Sequence, residues 1–253
     1  MKDALEVAQK ESRAEPAALE SVPDEIYDTV VRAILDRALD PGTKLPEDVF
    51  CNHYGVSRTI VRVAIHRLQQ DRLVELQRNK GCFVVVPDRK EAMDILEARK
   101  AIEPYVVRRL VASASDAQLL ALQRHVDKED DAYHRNDQRE ALRLSGQFHL
   151  VLSSIADNKV VEATLLNLVC RSALVIATYS DVTACCKAHD HRRLVELLRE
   201  RNAGAAVELM ERHLSDIERD LLQDKPAQEK PSLESVLKLY GAGVKEHPLR
   251  KAG

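Results

Sequence analysis

Apolar positions along this chain change their period twice. From Asp24, "DEIYDTVVRAILDRAL" places Ile26, Val30, Ile34 and Leu35 on one helical face, and "DPGTKL" breaks the run with Pro41 and Gly42, which predicts a first helix. "PEDVFCNHYG" opens on Pro46, suited to a first helical turn, and closes on Gly55, which can take the left-handed conformation that ends a helix. It predicts a short second helix. In "SRTIVRVAIHRL", Val61, Ala64, Ile65 and Leu68 fall at i, i+3, i+4 and i+7, so they define the buried face of a third helix. Ser57 stands where its hydroxyl can cap that helix. Arg58, Arg62 and His66 form the opposite stripe. After Asp71 the period shortens. Leu73 to Leu76 and Cys82 to Val86 are β-rich runs joined by a polar turn with Asn79, Lys80 and Gly81, which predicts a hairpin. Beyond Pro87 the helical period returns and holds to about Leu222. Breaks near Ser113 to Ser115, Asn136, Asp157 to Asn158, Ser180 to Thr183 and Asn202 divide it into six helices.

This order predicts a mainly α protein: an N-terminal winged helix-turn-helix with a small β-hairpin wing, then a C-terminal all-α antiparallel bundle. The expected divisions are a flexible leader over 1–21, a winged helix-turn-helix domain over 22–87, an all-helical domain over 88–224, and a tail over 225–253 in which "SLESVLKLYG" forms one short helix. Composition agrees. Only 4% aromatics, eight glycines and no tryptophan disfavour a β-sandwich, which needs β-formers and many tight turns. No stretch is expected to supply the ~20 apolar residues of a membrane span, and "MKDALEVAQKESRAEP" lacks the apolar centre of a signal peptide, so the expected location is the cytoplasm. Five cysteines, at 51, 82, 170, 185 and 186, follow no Cys-x-x-Cys spacing and read as reduced thiols.

Charge changes the picture locally. The whole chain carries a net charge of −3, yet between Cys51 and Cys82 six Lys and Arg (58, 62, 67, 72, 78, 80) stand against two acids (71, 75). DNA presents a line of phosphates, so a local cationic face matters more than the total. "PGTKLPEDVFCNHYGVSRTIVRVAIHRLQQDRLVEL", followed by "NKGCFV", resembles the DNA-binding domain of GntR-family regulators over roughly Val22 to Val86. The resemblance implies that Lys44, Arg58, Thr59, Arg62, Lys80 and Gly81 touch phosphates or bases of operator DNA. Three positions depart from the family pattern: Ile60 replaces proline, Val63 replaces glutamate, and Arg72 replaces a helix-ending glycine. Val63, on the exposed face, could meet a thymine methyl group or simply be a tolerated surface residue.

In the helical region three histidines sit on the apolar stripes of three different predicted helices: His149 in "ALRLSGQFHLVLSSI", His191 before Leu194, Val195 and Leu198, and His213 between Met210 and Ile217. His189 must point elsewhere. Three inward imidazoles can converge on zinc, nickel or manganese. "SGQFH", "DHRRLVELL" and "MERHL" also resemble the FadR-like (FCD) effector domain, over about Glu91 to Leu222, with Ser145 where the metal-binding members have aspartate. In that subfamily an arginine matching Arg99 often faces the effector pocket; the alternative for Arg99 is a surface salt bridge to Glu103 at i+4. Arg171, among apolar neighbours, is the second candidate for a carboxylate. The resemblance implies a homodimeric repressor of transcription, released by a small carboxylate-type metabolite and acting on double-stranded DNA with no membrane partner. Two rivals are a regulator for which the ion itself is the signal, and a metal-dependent hydrolase. The hydrolase lacks a carboxylate at a convincing spacing, so no enzyme is expected.

Overall fold

A computed structural model describes residues 15–179, 188–221 and 233–240. Its helices are α1 (Glu15–Leu35), α2 (Glu47–Tyr54), α3 (Arg58–Gln70), α4 (Arg89–Ser113), α5 (Asp116–His134), α6 (Gln138–Ile155), α7 (Lys159–Tyr179), α8 (Ala188–Arg199), α9 (Ala203–Leu221) and α10 (Leu233–Tyr240), with strands β1 (Val74–Gln77) and β2 (Gly81–Val84) between α3 and α4. Of the described residues, those within Met1–Ala33, Thr43–Val84 and Pro231–Gly253 form one compact unit; those within Ile34–Gly42 and Val85–Lys230 form the other.

In the first unit α1 runs upstream of the predicted start and carries Pro23 inside it. Sequence reading did not find that extension, because the residues before Asp24 carry no sustained apolar period. Pro46 precedes α2 in extended backbone (φ −67°, ψ 130°) instead of starting the helix, and Gly55 ends it in the left-handed conformation (φ 67°). Ser57 stands at the N-cap of α3 with φ −73° and ψ 157°, but its hydroxyl makes no capping hydrogen bond. Its carbonyl accepts from the N–H of Ile60 (3.1 Å) and Val61 (3.3 Å), and the exposed end of the helix keeps its first donors for water or an anion. The hairpin is antiparallel, with Val74 opposite Val84 and Gln77 opposite Gly81. Asn79 (φ 61°) and Gly81 (φ 102°) take the left-handed backbone that its three-residue turn requires. α10 packs against α2 through a face that buries Leu233, Val236 and Leu237.

The second unit holds the six expected helices; the break expected near Ser180 to Thr183 lies outside the described residues. α5 starts in a capping box between Ser115 and Gln118, and Asp88 and Asp137 cap α4 and α6. The core runs from Ile95 and Leu110 of α4 through Phe148 and Leu152 of α6 to Leu198 of α8 and Leu214 of α9. One expectation fails: α7 is long and apolar enough to cross a membrane, with mean hydropathy 1.7 over its best window. It packs against α4 and α6 and buries Leu165, Leu168, Val169, Leu174 and Val175, which commits one face of it to the helical unit's packing. Cys51, Cys82 and Cys170 are free thiols. Burial pushes the Cys82 thiol up to about 12.

Candidate functional site

The first cluster of functional side chains lies on α3 and the wing. Val61, Ala64, Ile65 and Leu68 are buried, which turns Arg58, Thr59, Arg62, Val63 and His66 outward. Val63 is 46% exposed, high for an apolar side chain on a packed helix. Arg62 Nε donates to both carboxylate oxygens of Glu47, at 2.8 and 3.1 Å. That hydrogen bond, reinforced by the Glu47 charge, raises the Arg62 pKa, and it leaves the outer guanidinium nitrogens for another partner. The Glu47 pairing holds the Arg62 side chain in place, and spacing alone did not reveal it. At the wing Arg78, Asn79 and Lys80 are all exposed, so the tip carries two cations. Lys44 pairs with Phe83 as an isolated antiparallel bridge, its Nζ 5.9 Å from the Phe83 ring centre. A Cβ placed on Gly81 would lie 3.7 Å from Lys44 Cε, so Lys44 and Gly81 share the base of the wing.

The second cluster lies inside the helical unit. α6, α8 and α9 bring His149, His191 and His213 together, all buried, with one possible ligand atom from each within 4.8 Å of the others. His189 is exposed. Each imidazole has a carboxylate at Nδ1: Glu103 of α4 for His149 (2.6 Å), Glu129 of α5 for His191 (2.8 Å) and Asp190 of α8 for His213 (3.4 Å). A carboxylate that accepts from Nδ1–H fixes the tautomer with a lone pair on Nε2, the form that binds metal. The Nε2 atoms of His191 and His213 then face each other at 3.3 Å. Two lone pairs at that distance repel unless a proton or a cation lies between them. Two imidazoles on one tetrahedral ion, with bonds of ~2.0–2.1 Å, stand roughly 3.4 Å apart. The Glu129 carboxylate, fully buried, adds a negative charge that a bound cation would balance. The donor set therefore fits a borderline divalent ion. Burial lowers the His149 pKa to about 3, against the pull of Glu103, and burial also lowers that of His213, so both rings stay neutral and able to ligate. Phe148 stacks on His191 at 4.1 Å between ring centres and shields the cluster.

Beside the histidines opens a pocket with about 490 Å³ of empty space, part of it open solvent. Arg99, Ser145, His149 and Ser172 supply its polar wall. Arg99 lines the pocket, and its Nε donates to Glu103 Oε1 at 2.6 Å in an ion pair that is buried, not at the surface. Burial opposes ionisation of Glu103, but the Arg99 charge and the hydrogen bonds from Arg99 and His149 prevail and hold its carboxyl well below the usual carboxylate range. Arg99 Nη2 and Ser172 Oγ are buried without a hydrogen-bond partner. Ser145 stands one turn before His149 and brings no charge to the site. Arg171 is not among the residues lining the pocket; its Nη2 pairs with Glu91 at the start of α4. Glu129 and Ser172 escaped sequence reasoning, and Glu103 was legible only as a partner for Arg99, because nothing local shows that it also reaches His149.

Comparison with known proteins assigns both units. Residues 23–84 match the family model described as bacterial regulatory proteins, gntR family, and residues 94–216 match the FCD domain. The chain is 26% identical over 204 residues to the HTH-type transcriptional repressor RspR of Escherichia coli (strain K12), covering 80% of this chain and 90% of that protein. To the HTH-type transcriptional regulator YdhC of Bacillus subtilis (strain 168) it is 23% identical over 185 residues, covering 72% and 83%. In fold it is similar to a GntR transcriptional regulator from Rhodococcus sp. RHA1, with TM-score 0.70 at 24% identity, covering 81% of this chain and 98% of that one.

Proposed function

The chain belongs to the GntR family of bacterial regulatory proteins and carries an FCD domain; on that footing we propose that it is a repressor whose hold on operator DNA is set by a small acid bound beside a metal ion. It is a transcriptional regulator, not an enzyme. The observation that carries the DNA reading is the orientation of α3: its aliphatic face is buried, and Arg58, Thr59 and Arg62 are left exposed. Arg58 and the outer nitrogens of Arg62 suit the O6/N7 edge of guanine, while Thr59, Lys44, Lys80 and the Gly81 backbone suit phosphate. A homodimer would set two such helices in successive major grooves of a pseudo-palindrome in the cytoplasm. RspR, a repressor by name, supports the sign of regulation. The test is binding to a duplex selected from a random library. Combined Arg58→Ala and Arg62→Ala substitutions should weaken it by ~1–3 kcal/mol each and flatten the preference for the selected sequence. Undiminished selective binding would refute the reading.

His149, His191 and His213 would hold the ion, and Glu103, Glu129 and Asp190 would orient them. Zinc, nickel or manganese would supply a fixed positive charge for an acidic ligand. Arg99 Nη2 and Ser172 Oγ are the protein's own donors to that acid. Arg171, committed to Glu91, keeps a structural role in this reading. In the alternative, favoured by the converging Nε2 atoms, the ion itself is the signal. Adding a chelator to the DNA-binding assay separates the two: release by metal removal alone marks a metal sensor.

A further inference from the structure

Along α3 the buried set Val61, Ala64, Ile65 and Leu68 fixes where the crest of the helix lies. At ~100° per residue, Thr59, Val63 and His66 fall within about 30° of the direction opposite that set, whereas Arg62 falls about 70° away and Arg58 about 110°. Thr59, Val63 and His66 are all exposed. The arginines on the two sides are drawn to the flanks. Arg62 is held by Glu47 of α2, and Arg67 pairs with Asp24 of α1, its guanidinium 4.7 Å from the centre of the Tyr27 ring.

Val63 alone among the exposed residues of α3 is apolar, the others being Arg58, Thr59, Arg62, His66, Gln69 and Gln70. Helix formation does not account for it, since glutamate or glutamine forms helices better than valine. Core packing does not account for it either: the core lies on the opposite side, and Val63 is 46% exposed. A helix ~10–12 Å across fills a major groove ~12 Å wide, so the crest meets the base edges and the flanks meet the two phosphate strands. A long guanidinium can reach a base from the flank. A side chain as short as valine reaches one only from the crest, and there its isopropyl group can neither donate nor accept a hydrogen bond. The one apolar feature that an unmodified base edge offers in that groove is the thymine C5-methyl group.

We propose that Val63 is a specificity-determining residue whose isopropyl group packs on the C5-methyl group of one thymine in the operator. The inference rests on the reading that α3 enters the major groove, and it names a base that this helix prefers. Two effects make the preference. Burying the methyl group against Val63 favours thymine, and cytosine at the same place would bury its N4 amino group against the isopropyl without an acceptor. Adenine and guanine present N7 there, which would be left without a donor in the same way. A glutamate in place of Val63 would reverse the order, because its carboxylate accepts from cytosine N4.

The test removes the methyl group alone. A duplex is selected from a random library by the wild-type protein, and each of its thymines is replaced in turn by uracil, which keeps every hydrogen-bonding group of the base. At one thymine the replacement should weaken wild-type binding about three- to fivefold, the effect of one buried methyl group. Val63→Ala should bind the thymine duplex correspondingly less well and respond less than about 1.5-fold to the same replacement, since the two losses are one contact. Selection repeated with Val63→Glu should exchange thymine for cytosine at that position and leave the rest of the site intact. Folding of both variants is followed by the thermal midpoint, which should stay near that of the wild type because the position is exposed. Indifference of the wild type to uracil at every thymine, a uracil penalty that Val63→Ala leaves in place, or an unchanged site selected by Val63→Glu overturns the proposal. Loss of binding in Arg58→Ala and Arg62→Ala shows that α3 reads DNA whether or not Val63 meets a methyl group, so the proposal can fail while that reading stands; failure to select any site removes both.

Discussion

Arg72 sits at φ 56° just past α3, where the Leu73 N–H donates to the Leu68 carbonyl (2.9 Å) and the Arg72 N–H to that of Gln69 (3.0 Å). This double closure wants glycine at its left-handed position. Arg72→Gly should stabilise the protein by about 0.5–1 kcal/mol in urea denaturation, as relief of ~1–2 kcal/mol of left-handed strain outweighs the added chain entropy. A loss of stability would show that the Arg72 side chain contributes more than its backbone costs. The sequence exposed this position as a departure from a pattern; only the backbone angle explains why it matters. Glu129 is the opposite case. Nothing in "VDKEDDAY" marks it, yet its carboxylate fixes His191. Glu129→Gln should lower affinity for zinc about 10–100-fold in competition with a chelating dye, because the amide orients the ring less well and removes the balancing charge. Unchanged affinity would dismiss Glu129 from the site.

At the level of elements, helix ends were the least legible features. α1 begins before its apolar stripe, and α3 lacks the hydroxyl cap that Ser57 promised, since an exposed end can be satisfied by water. The end of α4 is closed by a residue far away in sequence. Arg201, itself at φ 56° after α8, donates from Nη1 to the Val111 carbonyl (2.9 Å) and from Nη2 to that of Ala114 (2.6 Å). A cation there meets the negative end of the helix dipole and carbonyls that lack helical partners. Arg201→Met keeps the aliphatic stem but loses these bonds, and should destabilise the helical unit by about 1–2 kcal/mol, read as a lower thermal midpoint. An unchanged midpoint would mean that water satisfies those carbonyls equally well.

For the whole molecule, buried histidines make stability depend on pH. His125 Nε2 meets the Leu144 carbonyl at 2.7 Å, and burial lowers its pKa below 6.5 despite that hydrogen bond. Its folded value lies below the unfolded one, so the unfolded chain takes up a proton first. The stability tied to the neutral ring is complete above about pH 6.5 and is lost as pH falls through the lowered value. The midpoint of metal-free protein should therefore drop between about pH 7.5 and 5.5, and His125→Gln, which keeps a donor for Leu144, should flatten part of that drop. A midpoint that rises on acidification would contradict this. The same scale explains α7. Its length and composition would suit a membrane span, and its packing against α4 and α6 shows that one face of it belongs to the helical unit.

The sequence by itself determined the elements and their inward faces, because a period of 3.6 or 2 in apolar residues is a local property that survives without neighbours. It also placed the arginines outward on α3 and the three histidines inward on α6, α8 and α9. Tertiary structure alone decided which groups meet. Glu103 reaches His149 across 46 residues and Glu129 reaches His191 across 62. Leu35, the last residue of α1, packs with the helical unit and lines its pocket. Such pairings are set by how helices pack and which side chains then share a buried space, and no local pattern records that.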